Sequence, residues 1–347
     1  MAPYKRILVT GGAGFIGSWI IRTLLNEWPD CHVMNLDALT YAGNLENLSD
    51  IENNPRYEFI HGDIRDEVLL ERLMSQADAC IHSAAHTHVD RSIDDPAIFT
   101  ETNVLGTQRV LEAARKAGIQ KFVLVSTDEV YGSLDLDSDD LFTEKTPIDP
   151  SNPYSASKAG ADLLALSYVN TFNFPLCITR CGNNYGPNQY PEKLIPFFLL
   201  KIQKGEKVPV YGDGLNVRDW IFVEDHARAV MTVLEKGHPG EVYNISAGQQ
   251  LNNRFVTKEL LAAFSKTDSD ENLEFVSDRP AHDRRYALDS SKLRTQLGWC
   301  HKTNFQDGLK RTIAWYAENP DWVNNILERE RRENQTKAAQ WLVNASS

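Results

Sequence analysis

The chain has 347 residues, about two domains at the usual domain size, and 42% hydrophobic with 24% charged residues is an ordinary globular balance. A formal net charge of -12 excludes the broad basic surface that nonspecific nucleic-acid binding requires, so no nucleic-acid partner is expected. The five cysteines are scattered without a CxxC pair, which excludes a zinc ribbon or a disulfide framework and suits a reducing compartment. No apolar run approaches a membrane span and none opens the chain as a signal core, so a cytoplasmic protein with neither metal nor membrane partner is expected.

In chain order, Arg6 to Thr10 reads as a strand, runs at once into glycines, and gives way to helical spacing from Phe15 to Asn26. Apolar runs recur at His32 to Leu36, Tyr57 to His61, Ala79 to His82 and Lys121 to Ser126, with helical stretches at Asp66 to Ser75 and Thr100 to Ala117. Strands alternating with helices predict a Rossmann-type, doubly wound parallel sheet, because parallel neighbours need crossover connections. Beyond residue 185, Pro187, Pro191, Pro196 and Pro209 break the chain into short pieces. The expected division is a dinucleotide-binding domain over 1–185 with a return segment near 217–248 (a helix from Val223 to Gly237, a strand from Glu241 to Ile245). A smaller α/β substrate-binding lobe over 186–216 and 249–330 follows, and then a tail over 331–347. The charged stretch from Ile326 onward predicts a surface helix.

Gly11, Gly14 and Gly17 fall between the first strand and the first helix, where glycines let backbone turn sharply and approach a pyrophosphate. The helix start at Phe15 and Ile16 would then offer free N–H groups and a positive dipole end. Asp37 closes the next strand, where a carboxylate accepts from adenosine ribose hydroxyls and repels the 2′-phosphate of NADP, so NAD is expected. Asp63 and Ile64, after the third strand, are placed at the adenine. Tyr154 and Lys158 stand at i and i+4 on one helical face, the phenol to take a hydroxyl proton as hydride leaves and the ammonium to lower the phenol's pKa. A strand ending at Ser126-Thr127 puts a hydroxyl at its tip, with Thr127 orienting the same alcohol.

These motifs, from Thr10-Gly11-Gly12-Ala13-Gly14-Phe15-Ile16-Gly17 through Tyr154 and Lys158 to Asp278-Arg279-Pro280-Ala281-His282-Asp283-Arg284-Arg285-Tyr286, resemble the extended short-chain dehydrogenase/reductase family over nearly the whole length. The resemblance is closest to its dTDP-glucose 4,6-dehydratase branch. It implies C4 oxidation of a nucleotide-activated hexose, loss of water across C5 and C6, and return of hydride to C6, with NAD tightly bound. Within Ser126-Thr127-Asp128-Glu129-Val130-Tyr131-Gly132, Glu129 is implied as the base at C5 and Asp128, kept protonated, as the acid for the leaving water. Two carboxyls crowded at one strand tip push their pKa values apart. Ala84 is implied at the cofactor, and His88, Asn183, Glu192, Lys193, Leu194, Tyr211, Arg218, Asn253, His282 and Arg285 at the sugar and nucleotide, Arg218 as a bidentate diphosphate clamp. His86 stands where bacterial dTDP-glucose enzymes typically carry glutamate and receives no role. Thr87-His88 and Gly186-Pro187-Asn188-Gln189 resemble UDP-glucose dehydratases, so the base is open between thymine and uracil, with the 279–286 block favouring thymine. UDP-sugar epimerases and decarboxylases share the core. The family also implies a homodimer joined by the helices at Thr100 to Ala117 and Tyr154 to Phe172.

Overall fold

A computed structural model describes residues 2–278 and 282–345, so Arg279, Pro280 and Ala281 of the 279–286 block lie outside the described residues. Its strands are β1 (Arg6–Thr10), β2 (His32–Asp37), β3 (Tyr57–His61), β4 (Ala79–His82), β5 (Lys121–Thr127), β6 (Leu176–Cys181), β7 (Asn183–Tyr185), β8 (Val208–Tyr211), β9 (Val217–Phe222), β10 (Val242–Ile245), β11 (Gln250–Asn252) and β12 (Leu273–Val276). Seven of them form one parallel sheet in the order β10-β6-β5-β4-β1-β2-β3. Strand order reverses about β1 and β4, the switch point at which such sheets open a crevice beyond their carboxyl ends.

Both faces are covered, as a parallel sheet requires. Ile7, Val9, Ile81 and Val123 pack on one side with the helices Phe15–Glu27 and Val223–Lys236. Leu8, Cys80, Phe122 and Leu124 pack on the other with the helices Glu67–Met74 and Thr107–Ala117. Register brings the strand ends level: Thr10 pairs with Leu36 and with His82, His82 with Leu124, and Thr127 with Cys181. The glycine turn, Asp37, the residues after His82, Ser126-Thr127 and Cys181 therefore emerge along one edge.

The smaller lobe carries the β11-β9-β7 sheet, the β12-β8 pair and a core rich in aromatic side chains, among them Tyr185, Trp220, Phe222 and Phe305. Three boundaries differ from the sequence expectation. β7 and β9 pair with each other and not with the large sheet, so the return begins at Val223 and not near 217. Leu293, Leu297 and Trp299 pack on the large sheet's helices, within a stretch expected in the lobe. The last helix spans Pro320–Ala345 as one element, and its first turns are core: Trp322, Val323 and Ile326 are buried in the small lobe. Those apolar positions outweigh the charges that mark the following turns as surface.

The expected regular helix over Thr100 to Ala117 is instead a π-helical segment, Thr100–Gly106, leading into the α-helix Thr107–Ala117. Such wide turns concentrate at functional sites. Here the turn brings Asn103 inward, where its amide bonds both backbone groups of His86 (2.8 and 2.9 Å) and the Ser157 hydroxyl (2.9 Å). No described helix is long and apolar enough to cross a membrane.

Candidate active site

One cavity opens beyond the strand ends, lined by Gly11, Gly14, Phe15, Ile16, Gly17, Asp37, Asp63, Ile64, Ala84, Thr127, Asp128, Glu129, Tyr154 and Lys158. Every residue expected at the cofactor or in catalysis thus faces one space, and the two acids share the side of the sheet occupied by Tyr154. Of the residues expected at the sugar nucleotide, Asn183, Glu192 and Lys193 line it as well.

The glycine turn fits a dinucleotide. Gly11 has φ +72°, and a Cβ there would lie 2.6 Å from the Ala84 backbone; one at Gly17 would lie 2.2 Å from the Gly11 carbonyl oxygen. Strand, turn and helix can close this tightly only without side chains. No side chain caps the helix Phe15–Glu27, so its first-turn N–H groups are left to an anion in the cavity. Asp37 is buried, takes hydrogen bonds from the Ala13 and Leu39 amides (2.9 and 2.8 Å), and is pushed above the usual carboxylate range by burial. Asp63 is instead held below that range, chiefly by its fork with Arg65. NAD accordingly suits these residues: an uncapped helix for its pyrophosphate, Asp37 for its ribose, and Ile64 as an apolar wall for its adenine.

The catalytic helix is placed by its start. Asn152 caps Pro153–Phe172 by accepting from the Ser155 amide (3.0 Å), Ser155 returns the bond (3.3 Å), and Pro153 opens the helix. Tyr154 and Lys158 follow one turn apart, both buried. Lys158 Nζ donates to the Val125 carbonyl at 2.8 Å, which ties the helix to β5. The phenol is pushed well above its ordinary value, first by burial and then by Glu129, Cys181 and Asp128, while burial pushes the lysine down. This reverses the expectation that Lys158 would lower the phenol: desolvation and neighbouring carboxylates prevail, and the ammonium is engaged with the strand.

The acidic tip is a short 3-10 turn, Asp128–Tyr131, whose first N–H groups are capped by Thr127: its hydroxyl accepts from the Glu129 amide (3.3 Å) and donates to Asp128 Oδ1 (3.2 Å). Asp128 is 2% exposed, and its Oδ2 is buried with no protein partner among the described residues. Burial, then Glu129, then Asp219 raise it well above the carboxylate range, which keeps it a proton donor. Beside it, Ser126 Oγ is likewise buried and partnerless on the cavity wall.

The rest of the expected sugar-nucleotide set does not line the cavity. Leu194 opens the helix Leu194–Gln203 and packs toward the lobe core. Arg218 lies behind the acids, donating to the Val217 and Asp283 carbonyls (2.8 and 3.0 Å) over the Tyr286 ring, with its charge acting on Asp128. Arg285 is bonded to the Asp140 carbonyl and to Gln250 (3.0 Å each), so two donors of each arginine, Arg218 expected as the clamp and Arg285 at the sugar nucleotide, are engaged within the protein. His282 bonds Asp278 (2.5 Å) and faces the exposed Tyr211 ring; Asn253 opens the helix Asn253–Ala263, its Oδ1 buried without a partner. His88 sits at φ +85°, with burial pushing its imidazole down to about 4 and Lys193 adding to the shift.

Sequence reasoning missed Ala38, Thr40 to Asn44 and Asn47 of the loop after Asp37, and Tyr190, Trp322 and Ile326, all on the lining. It also missed Arg91, whose guanidinium covers the Tyr41 ring at 4.1 Å and pairs with Glu192 at 2.9 Å. The turn residues Gly43-Asn44 directly after Asp37 were the available signal for the loop. His86, given no role, lines the cavity stacked 6.0 Å from Tyr41 and is held below the usual imidazole range, chiefly by burial.

A family model described as GDP-mannose 4,6 dehydratase matches residues 8–312. The dTDP-glucose 4,6-dehydratase of Escherichia coli is 48% identical in an alignment of 352 positions that covers 93% of this chain and 96% of that one. DesIV of Streptomyces venezuelae, a dTDP-glucose 4,6-dehydratase solved with NAD bound, superposes with a TM-score of 0.89 at 49% identity, over 92% of this chain and 99% of its own. The UDP-glucose 4-epimerase of Thermotoga maritima follows with a TM-score of 0.82 at 31% identity, covering 90% and 99%.

Proposed function

Because the chain belongs to the GDP-mannose 4,6-dehydratase family, we propose that it is an NAD-dependent hydro-lyase converting dTDP-glucose to dTDP-4-keto-6-deoxyglucose. The observation that carries this reading is the pair of buried Asp128 and half-buried Glu129 on the same cavity wall as Tyr154 and Lys158. An epimerase needs only the phenol and the hydride site. A dehydratase also needs one acid that keeps its proton and one base, and the Asp128 environment supplies the former.

Tyr154 Oη takes the C4 hydroxyl proton, with Thr127 orienting that hydroxyl. NAD, when bound, would supply the acceptor for the C4 hydride and give that hydride back at C6. Glu129 then removes the proton at C5, acidified by the new ketone, Asp128 gives its proton to the leaving C6 hydroxyl, and Glu129 returns the proton to C5 as hydride is added at C6. Asn183, Glu192 and Lys193 hold the sugar end, and Arg218 is the cation behind it. The chain acts in the cytoplasm as a homodimer, and the exposed Leu105, Leu163 and Phe172 on the helices expected to pair support that assembly.

Purified protein incubated with dTDP-glucose, and separately with UDP-glucose, tests the reading by product mass. Loss of one water from the thymidine substrate at the higher kcat/KM is expected. An unchanged mass with galactose formed would replace the dehydratase by an epimerase, and a higher kcat/KM with UDP-glucose would reassign the base.

A further inference from the structure

The family match ends at residue 312, before the helix Pro320–Ala345 begins, yet Trp322 and Ile326 of that helix face the cavity. Three residues of this helix cross to the loop that follows Asp37. The Trp322 indole N–H donates to Asn47 Oδ1 at 2.9 Å, and Asn325 donates to Glu46 at 2.9 Å. Arg329 donates to two loop carbonyls, Gly43 at 2.9 Å and Tyr41 at 2.6 Å. One residue on, Glu330 accepts from the Tyr190 hydroxyl at 2.9 Å and lies 3.7 Å from Arg91, which covers Tyr41.

The inner side of the same loop is bonded to the glycine turn. The Asn44 amide and the Asn47 side chain both donate to the Ala13 carbonyl, at 3.0 and 2.9 Å. Gly43 lies so close to Asp37 that a Cβ there would stand 2.9 Å from its Oδ1. A continuous set of hydrogen bonds thus runs from the last helix, through the loop, to the backbone that would carry the pyrophosphate and the acid that would carry the ribose.

We propose that the helix Pro320–Ala345 is a cofactor clamp: Arg329 and Trp322 hold the Ala38–Asn47 loop shut over the dinucleotide, so that NAD stays bound from one turnover to the next. A reaction that removes a hydride and later returns it gains from a cofactor that cannot leave between the two steps. Arg329 and Trp322 are positioning residues in this scheme, acting through the loop. The clamp rests on the NAD reading above.

The test uses the chain with Arg329→Ala and, separately, Trp322→Phe, which keeps a buried aromatic ring while removing the N–H donor. NAD released on denaturation, its release rate into NAD-free buffer, thermal unfolding, and water loss from dTDP-glucose with and without added NAD are measured. Release roughly ten-fold faster or more is expected for Arg329→Ala, the scale of losing hydrogen bonds from a charged donor. Turnover should fall in NAD-free buffer and recover at saturating NAD. Wild-type NAD content and release rate in both variants would overturn the clamp while leaving the cofactor reading intact. So would lost turnover that added NAD fails to restore in a variant that unfolds at the wild-type temperature. A wild-type chain that neither carries nor acquires NAD would overturn both.

Discussion

The two halves of the cavity are built differently. The cofactor half comes from consecutive strand ends of one sheet, so each wall residue follows its strand by at most a few positions: Gly11 after β1, Asp37 closing β2, Asp63 after β3, Ala84 after β4. The sugar half is assembled from β7 and the loop before the helix Leu194–Gln203, segments whose mutual placement depends on the small-lobe core. Local chain geometry therefore specifies the first, and tertiary packing the second. Substitutions in the first should release NAD, whereas substitutions in the second should spare NAD and weaken the sugar nucleotide.

The sharpest probe lies where the halves meet. Tyr154→Phe removes the proton acceptor but keeps the ring packed against Phe99 (centroids 6.2 Å apart). Turnover should fall roughly 10²–10⁴-fold, the range for general acid–base groups, while NAD content stays at the wild-type level. NAD loss in this variant would make Tyr154 a cofactor-retaining residue first and would blur the division between the halves.

Next in size is the buried pair behind the catalytic helix. Arg180 Nε bonds Asp162 at 2.8 Å with both side chains at most 3% exposed, and Asp162 lies one turn beyond Lys158. Arg180→Met leaves a carboxylate uncompensated in the core and should cost about 3–5 kcal/mol of stability by denaturant unfolding. Asp162→Asn with Arg180→Met should recover part of that cost. If the single change is neutral, the pair does not hold the helix against β6.

The pH dependence of stability separates the halves again. His82 bridges Thr10 and Thr107 (2.6 and 2.9 Å) beneath the cofactor half, and His226 bonds Asn184 (2.8 Å) beneath the sugar half; burial pushes both down to about 3. Each remains neutral when folded but binds a proton when unfolded below its ordinary value of 6.5. The unfolded state therefore holds more protons in this window, and stability falls as pH falls from about 6.5 toward 3. The loss should reach about 2 kcal/mol per histidine by pH 5. His226→Gln should flatten that slope by one histidine's share. An unchanged slope would place the titration elsewhere.

How much was legible beforehand follows the same division. Strand, glycine turn and helix form one contiguous unit, so Gly11, Gly14, Gly17 and Asp37 could be placed from spacing, and Asn152-Pro153 marks the start that positions Tyr154. Trp322 could not be placed, because its partner Asn47 lies 275 positions away in sequence. The resemblance implies Arg218 as a diphosphate clamp and Arg285 at the sugar nucleotide, but it does not reveal that carbonyls and Gln250 already take two donors of each. The expected lowering of Tyr154 by Lys158 is outweighed for a related reason: helical spacing shows that two groups share a face, whereas burial pushes the phenol up and the ammonium down.

The smallest expected effect is the most discriminating for the sugar half. Glu192 pairs with Arg91, but that guanidinium is 39% exposed, and such pairs contribute at most about 1 kcal/mol. Glu192 Oε1 is meanwhile buried without a protein partner among the described residues, on the cavity side of the lobe. Glu192→Gln keeps the shape, removes the charge, and should shift the unfolding midpoint hardly at all. If Oε1 accepts a sugar or base donor, KM for dTDP-glucose rises several-fold with NAD content and kcat near wild type. If Glu192 instead only anchors Arg91 over Tyr41, the change appears as faster NAD release at constant KM, and the residue belongs to the cofactor half despite its position in the chain.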